Sequence, residues 1–392
     1  MRSDPHVRLL RDLAGELRGL DARSERRTLQ EVPGVNLSSN DYLRLSSHPG
    51  LRQEVVRAVH ETPVLGGTGS RLLSGHFEIW DQLESEFSRF ARTEAALYFS
   101  SGYAANVGLI TSLLRREDVV FSDACNHASL VDGMRLSGAR RVVYPHLDLN
   151  VLEMQLRKYA KEDCRKAIVT ESVFGMDGDC APIRSLLELG AKYEAGLIVD
   201  EAHATAVHGP GGRGLVSAAG AESQVWAVVH SSAMALASMG AFVCGSELLK
   251  QTLVNRARTL LFSTAAPPYM ARQIRAALRL AQAMDSERSA LFERSLGFAS
   301  SLRSDGWDTG KTSSQIVPVI LGDNASALDA AEHLRVAGFA VRAVRPPAVA
   351  SGQARLRFSL TSGITAEDLR RLYATLVEWR GMQPKRVAAV PA

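Results

Sequence analysis

The sequence predicts an α/β protein: a large domain around a mostly parallel sheet, followed by a smaller C-terminal α+β unit. Three observations carry this. From about residue 95, short apolar runs alternate with stretches of helical periodicity, the signature of strands covered by helices. Several of those runs end abruptly in Asp, Ser or Gly, as strands do where they leave a sheet. And 392 residues suit two domains sharing an interface better than one small core.

Taken in order, residues 6–20 place Leu9, Leu10, Leu13 and Leu17 at helical spacing, an amphipathic helix. A glycine-rich stretch, Gly66-Gly67-Thr68-Gly69-Ser70, precedes a second helix in which Trp80, Leu83, Phe87 and Phe90 form a core face. Ala95–Phe99, Ala167–Thr170, Leu197–Val199, Val225–Val229 and Ala241–Cys244 read as buried strands, and another precedes Asp123. Helices are expected between them, at Ala104–Leu114 and Ile183–Tyr193 among others. A tract with few helix breakers, Tyr269–Ser304, predicts one long helix. Strands are then expected at Ile316–Leu321, Val341–Val344 and Leu356–Leu360, with helices at Ser326–Ala337 and Ala366–Trp379. The expected division is an N-terminal segment, 1–45, packing with the small domain, a large α/β domain, 46–280, and a C-terminal α+β domain, 281–392.

Composition excludes several classes. With 46% hydrophobic and 22% charged residues the chain is an ordinary globular one. No apolar run approaches the roughly 18 residues needed to span a bilayer, and the N-terminus has no signal-peptide core. A cytoplasmic protein without membrane attachment is expected. The net charge is only +4, and the basic cluster Arg23, Arg26, Arg27 is short and lacks interleaved aromatics. It reads as a solvated helix end or an anion contact, not a nucleic-acid surface. The four cysteines, Cys125, Cys164, Cys180 and Cys244, form no CxxC pair; they are expected to be buried, small apolar residues.

Four segments could carry chemistry. Val199-Asp200-Glu201-Ala202-His203 ends an apolar strand on a carboxylate and then an imidazole, where ligands of open α/β sheets gather; the alternative is a capping Asp beside a surface His. Phe99-Ser100-Ser101-Gly102-Tyr103 turns from strand into helix through glycine, which lets backbone N–H groups meet an anion such as phosphate. Tyr103 adds an aromatic face there, or simply joins the core. Asp123-Ala124-Cys125-Asn126-His127-Ala128-Ser129 is a dense polar cluster after a strand, with His127 able to stack on a planar ring or donate a hydrogen bond. Arg355-Leu356-Arg357 places two guanidiniums on one face of the last strand. One of them could clamp a carboxylate; a surface charge pair is the equal alternative.

Together these segments resemble the α-oxoamine synthases, in order and at about their spacing. The resemblance runs from Ser39-Asn40-Asp41-Tyr42-Leu43 to Arg355-Leu356-Arg357 and includes Gly69-Ser70-Arg71-Leu72-Leu73-Ser74-Gly75, Asn126-His127-Ala128-Ser129, Met176-Asp177-Gly178-Asp179, Asp200-Glu201-Ala202-His203 and Phe262-Ser263-Thr264-Ala265. It implies the fold type I of pyridoxal-phosphate-dependent transferases, and a homodimer in which a phosphate ligand comes from the partner near Ser263 and Thr264. It also implies an acyltransferase that condenses an amino acid such as L-alanine with an acyl-CoA or acyl-carrier thioester, releasing the thiol and losing the amino acid's carboxylate as carbon dioxide. Val344-Arg345-Pro346-Pro347 and Gly352-Gln353-Ala354-Arg355 are similar to the family's biotin-pathway branch, with the glycine C-acetyltransferase branch as the alternative.

The resemblance assigns roles. Asp200 would pair with the pyridine nitrogen, His203 would bond the ring's phenolic oxygen, and His127 would stack on the ring. Gly102, Tyr103 and Ser231 would serve the phosphate and ring, Arg357 the amino-acid carboxylate, and Arg27 and Asn40 the substrate. The pattern then breaks. In Ser231-Ser232-Ala233-Met234-Ala235-Leu236, with Gly240-Ala241 fixing the register, Met234 stands where the family carries the lysine that anchors the cofactor. Gly175 replaces a serine, Ala348 a threonine, Ile364 a histidine and Ala233 a glycine. A thioether forms no imine and carries no proton, so noncovalent cofactor binding with impaired activity is expected. A silent relative that keeps the fold as a binding or regulatory dimer, and an acyl-CoA or thioester enzyme that has dropped the cofactor, are the other readings.

Overall fold

The computed structural model describes residues 4–31 and 33–383. Its strands in chain order are β1 Val35–Asn36, β2 Ala95–Phe99, β3 Val119–Asp123, β4 Arg140–Tyr144, β5 Lys166–Glu171 and β6 Ala195–Asp200. They continue with β7 Ala227–Ser231, β8 Ala241–Gly245, β9 Ile316–Gly322, β10 Phe339–Ala340, β11 Ala343–Val344 and β12 Ala354–Ser359. The chain divides into two compact units. One comprises Asn40–Phe292 with Thr361–Gly363; the other comprises the described residues before Asn40, Glu293–Leu360 and those from Ile364 on.

The large unit is a seven-stranded sheet of order β2-β8-β7-β6-β5-β3-β4. Only β8 runs antiparallel to its neighbours; the remaining pairs are parallel. Burial follows from that topology. The strands other than β4 are buried along almost their full length, because helices cover both faces. Two apolar clusters result: one around Phe99, Leu109, Val169 and Val243, the other around Phe121, Ile168, Leu197 and Val228. The helix Glu78–Ala91 packs Trp80, Leu83, Phe87 and Phe90 inward, each at most 3% exposed, as their spacing predicts.

The second unit holds the antiparallel sheet β11-β12-β9 and the two-stranded parallel pair β1-β10. Helices Asn324–Val336 and Ala366–Met382 belong to it. Arg355 and Arg357 are 4% and 8% exposed, so the surface charge pair is excluded.

Two expectations are corrected, and a third is met with a difference. The tract after Tyr269 is two helices, Pro268–Gln282 and Asp285–Ser304, broken at Ala283 and Met284. Only Cys244 of the four cysteines is buried; Cys125 is exposed because it sits in the turn leaving β3, and Cys164 and Cys180 are half-buried. The N-terminal helix, Pro5–Ala22, is amphipathic, yet it buries none of its residues and Leu9, Leu10, Leu13 and Leu17 stay 42–54% exposed. Among the described residues no helix is long and apolar enough to cross a membrane.

Candidate active site

The site grows from the carboxyl ends of adjacent parallel strands, where side chains leave the sheet and face the helix starts. Asp200 ends β6 and Glu171 ends β5, and the two are register partners. One Asp200 oxygen accepts from Asn106 Nδ2 at 2.6 Å and the other from the Ala202 N–H at 2.8 Å. Asn106, on the helix Gly102–Leu113, also donates to Ser129 Oγ at 2.9 Å. Ser129 Oγ lies 2.7 Å from His127 Nδ1. A continuous polar chain therefore links Asp200 to His127 through two residues buried to 1% or less.

Glu171 supports this chain from below. Its Oε1 accepts the His127 N–H at 2.6 Å and its Oε2 the Gly175 N–H at 3.3 Å. Burial, followed by the nearby Asp200 charge, pushes its pKa up to about 8 against those two hydrogen bonds. Burial raises Asp200 as well, against the bonds from Asn106 and Ala202 and the influence of His127. A buried carboxylate held this way has a standing preference for a cationic or N–H partner.

His203 Nδ1 sits 2.7 Å from Tyr42 Oη, which also lies 3.2 Å from Asn40 Oδ1. Its other nitrogen faces Gly175: a Cβ built there would stand 2.5 Å from His203 Nε2. Tyr103 is 45% exposed, donates to Asp132, and turns an edge toward the His127 ring with centroids 6.5 Å apart. Ser101 caps the helix that Gly102 begins, and a Cβ on Gly102 would meet nothing within 4 Å. The helix start therefore has open space before its first-turn N–H groups, which no intrahelical partner uses. Ser101, Tyr103, Asp132 and Ser263 line a cavity of about 510 Å³.

Met234 lies half-buried in the turn between β7 and β8, its carbonyl accepting the Ala237 N–H at 2.9 Å. Ser231, at the end of β7, is buried and its Oγ accepts the Ala233 N–H at 3.1 Å. Among the described residues, Lys192 pairs with Glu153 at 2.6 Å and Lys250 with Glu84 at 3.0 Å.

The large unit thus joins Asp200 and His127 by hydrogen bonds, sets Tyr103 against His127, and ties His203 to Asn40 through Tyr42. Gly102 begins the helix after β2, Ser231 ends β7 and Met234 lies in the turn that follows. Arg27 and Arg357 belong to the other unit. There Arg27 Nη2 donates to the Pro346 carbonyl at 2.7 Å, and Arg357 Nη1 to Ser359 Oγ at 2.6 Å.

Asn106, Ser129, Glu171 and Tyr42 were not among the sequence-derived site residues. For Glu171 a signal existed: it follows directly on the apolar run Ala167–Thr170, as Asp200 follows Leu197–Val199.

Residues 32–376 match the aminotransferase class I and II family, so the chain belongs to that family. Among curated proteins it is 42% identical over 390 residues to an 8-amino-7-oxononanoate synthase of Aromatoleum aromaticum, covering 94% of this chain and 98% of that one. It is 40% identical over 383 residues to the 8-amino-7-oxononanoate synthase of Geobacter sulfurreducens, covering 94% and 97%. Among solved structures, a serine palmitoyltransferase lysine-to-alanine variant from S. paucimobilis with a bound PLP–myriocin aldimine superposes with a TM-score of 0.86. That match has 26% identity and covers 94% of this chain and 96% of the other. The chain therefore resembles 8-amino-7-oxononanoate synthases over nearly its whole length.

The residues present fit pyridoxal phosphate. Asp200 is buried with its two oxygens fixed by Asn106 and the Ala202 N–H, and the open start of the Gly102 helix offers N–H groups to an anion.

Proposed function

We propose that this protein binds pyridoxal phosphate noncovalently and keeps the binding apparatus of a cytoplasmic C-acyltransferase like 8-amino-7-oxononanoate synthase, with its catalysis impaired by the methionine at position 234. The observation that carries the reading is the intact chain Asp200–Asn106–Ser129–His127, buried as far as the exposed His127, together with a thioether where the resemblance implies a lysine. When bound, the cofactor supplies an electron sink that stabilises a carbanion at the amino acid's α-carbon.

Each residue then has a task. Asp200, fixed by Asn106 and Ala202, holds the pyridine N–H and keeps the ring cationic. His127, its Nδ1 oriented by Ser129, offers its ring face to the cofactor. His203, oriented by Tyr42, bonds the phenolic oxygen. The first-turn N–H groups at Gly102 and Tyr103, with Ser231, receive the phosphate. Arg357 clamps the carboxylate of the amino acid, and Arg27 and Asn40 contact the substrates. Proton movement at the α-carbon falls to the two imidazoles or water. General acid–base help alone contributes roughly 10²–10⁴-fold, so a rate loss of at least that order is expected. A homodimer is part of the proposal, since the resemblance places the partner's Ser263–Thr264 segment at the phosphate.

The test is spectroscopic. The purified protein, with pyridoxal phosphate added, is scanned with and without L-alanine, treated with borohydride, and weighed. An alanine-dependent spectral change with no covalent protein adduct supports the proposal. A flat response indicates the silent-relative reading, and an adduct at any lysine overturns the noncovalent one. Met234→Lys is expected to create the adduct and raise condensation activity by at least about 10²-fold; no gain would mean that Gly175, Ala348 and Ile364 have altered the site too.

A further inference from the structure

A second constellation lies beside the Asp200 site. Asp123 closes β3, Cys125 follows two residues later, His146 follows β4, and Asp179 comes from the loop after β5. His146 Nδ1 is 2.8 Å from Asp123 Oδ1, and Nε2 is 2.8 Å from Asp179 Oδ2. The donor atoms of Asp123, Cys125 and His146 all lie within 4.8 Å of one another. The His146 ring is fixed edge-on against Phe174, centroids 4.4 Å apart. Asp123 Oδ1 and Oδ2 also accept the N–H groups of Cys125 and Leu147 at 2.8 and 2.9 Å. The proposed acyl transfer uses none of these side chains.

We propose that Asp123, Cys125 and His146 bind a zinc ion, with Asp179 orienting the imidazole from behind and one coordination position left to water. The ligand types select the metal: a thiolate with an imidazole favours zinc over magnesium or calcium, which prefer oxygen alone. The geometry is that of an open site, three protein ligands with the exposed Cys125 leaving the fourth position accessible. The observation independent of the ligand cluster is Asp179. It is 6% exposed, its Oδ1 has no hydrogen-bond partner, and its Oδ2 holds the far ring nitrogen. A carboxylate on the distal nitrogen is the usual outer-shell support of a zinc-bound histidine.

Coordination is stoichiometrically simple. The ion displaces the proton between His146 Nδ1 and Asp123 and the thiol proton of Cys125, and two protons leave for one divalent cation. The Nδ1–Oδ1 separation opens from 2.8 Å to roughly 3.3 Å, as tetrahedral bonds near 2.0–2.1 Å require. The competitor is the imidazolium clamped between two carboxylates, so affinity is expected to be moderate. Because Cys125 lies two residues before His127, an ion held here also braces the loop that carries the stacking histidine.

The experiment is a metal titration of the full-length protein. Cobalt(II) should bind at one equivalent with a thiolate-to-cobalt charge-transfer band in the near ultraviolet, and zinc should bleach it. Cys125→Ser, at an exposed position, should abolish the band and weaken zinc binding at least about tenfold. Asp179→Asn should keep the band and weaken binding by about 10–100-fold. Absence of the band overturns the proposal, as does its survival in Cys125→Ser, which would place it on Cys164 or Cys180. Unchanged zinc affinity in Cys125→Ser overturns it equally. Should Asp179→Asn unfold, Cys125→Ser alone decides.

Discussion

His203 and Gly175 share a few ångströms that a serine side chain would need. With glycine at 175 the imidazole can rest where a Cβ would come within 2.5 Å of Nε2 and 3.0 Å of Cδ2, and it bonds Tyr42 in that position. Gly175→Ser should therefore push the ring aside. Overpacking of this kind costs about 1–3 kcal/mol, measurable as a lower denaturant midpoint together with a shifted His203 resonance. An unchanged midpoint and spectrum would refute the steric reading. Legibility at this scale was uneven. Asp200, His127 and His203 stand out because a polar residue interrupts an apolar run. Glu171 does the same directly after the predicted strand Ala167–Thr170, but Val173 and Phe174 resume the apolar pattern and it was not singled out. Asn106 lies within an otherwise apolar helix, and nothing local marks it as the clasp on Asp200.

At the scale of elements, the helix Gly102–Leu113 reaches the site at both its first and its second turn. Asn106→Ala would leave an Asp200 oxygen buried without its donor. The expected loss is about 1–3 kcal/mol, more if the carboxylate stays ionised, with cofactor affinity falling in parallel by spectral titration. The turn between β7 and β8 is equally constrained. Gly240 has a φ of +89°, and a Cβ there would lie 2.2 Å from Tyr98 Oη. Gly240→Ala should lower the melting temperature by several degrees; a variant as stable as the parent would show that the turn can relax. Most core strands were readable because both faces are buried, which makes them apolar throughout. β4 was not: Arg140-Arg141 opens it, and it pairs only with β3 at the sheet edge, where four of its five residues are exposed or half-buried. The break at Ala283–Met284 was equally hidden, since neither residue is a helix breaker.

For the whole molecule, the buried acids set the pH response. Burial raises Glu171 to about 8 and Glu201 to about 7, from an ordinary 4.5. The folded protein thus binds more protons than the unfolded chain between 4.5 and about 8, and these groups' contribution to stability falls as pH rises through that window. The melting temperature of the cofactor-free protein should decline across it, and Glu201→Gln should flatten the part near 7. A decline of the same slope in the variant would remove Glu201 from the account. The α/β class, the parallel sheet and the family were all legible in spaced motifs, because topology repeats over hundreds of residues. Pairing between side chains distant in sequence, such as Asp123 with His146 and Asp179, was not, because it depends on which strand ends the sheet order makes neighbours.

The buried Asp200 has one more consequence. A carboxyl whose proton affinity burial has raised exchanges that proton for any positive charge brought beside it. Cofactor binding is then coupled to proton release, and the pocket acts as an ion exchanger as well as a receptor. Affinity for the pyridinium form of pyridoxal phosphate should tighten with pH, by up to about tenfold per unit where a single proton is released, whereas a neutral pyridine takes the Asp200 proton and releases none. Calorimetry in two buffers of different ionisation enthalpy would count that proton directly.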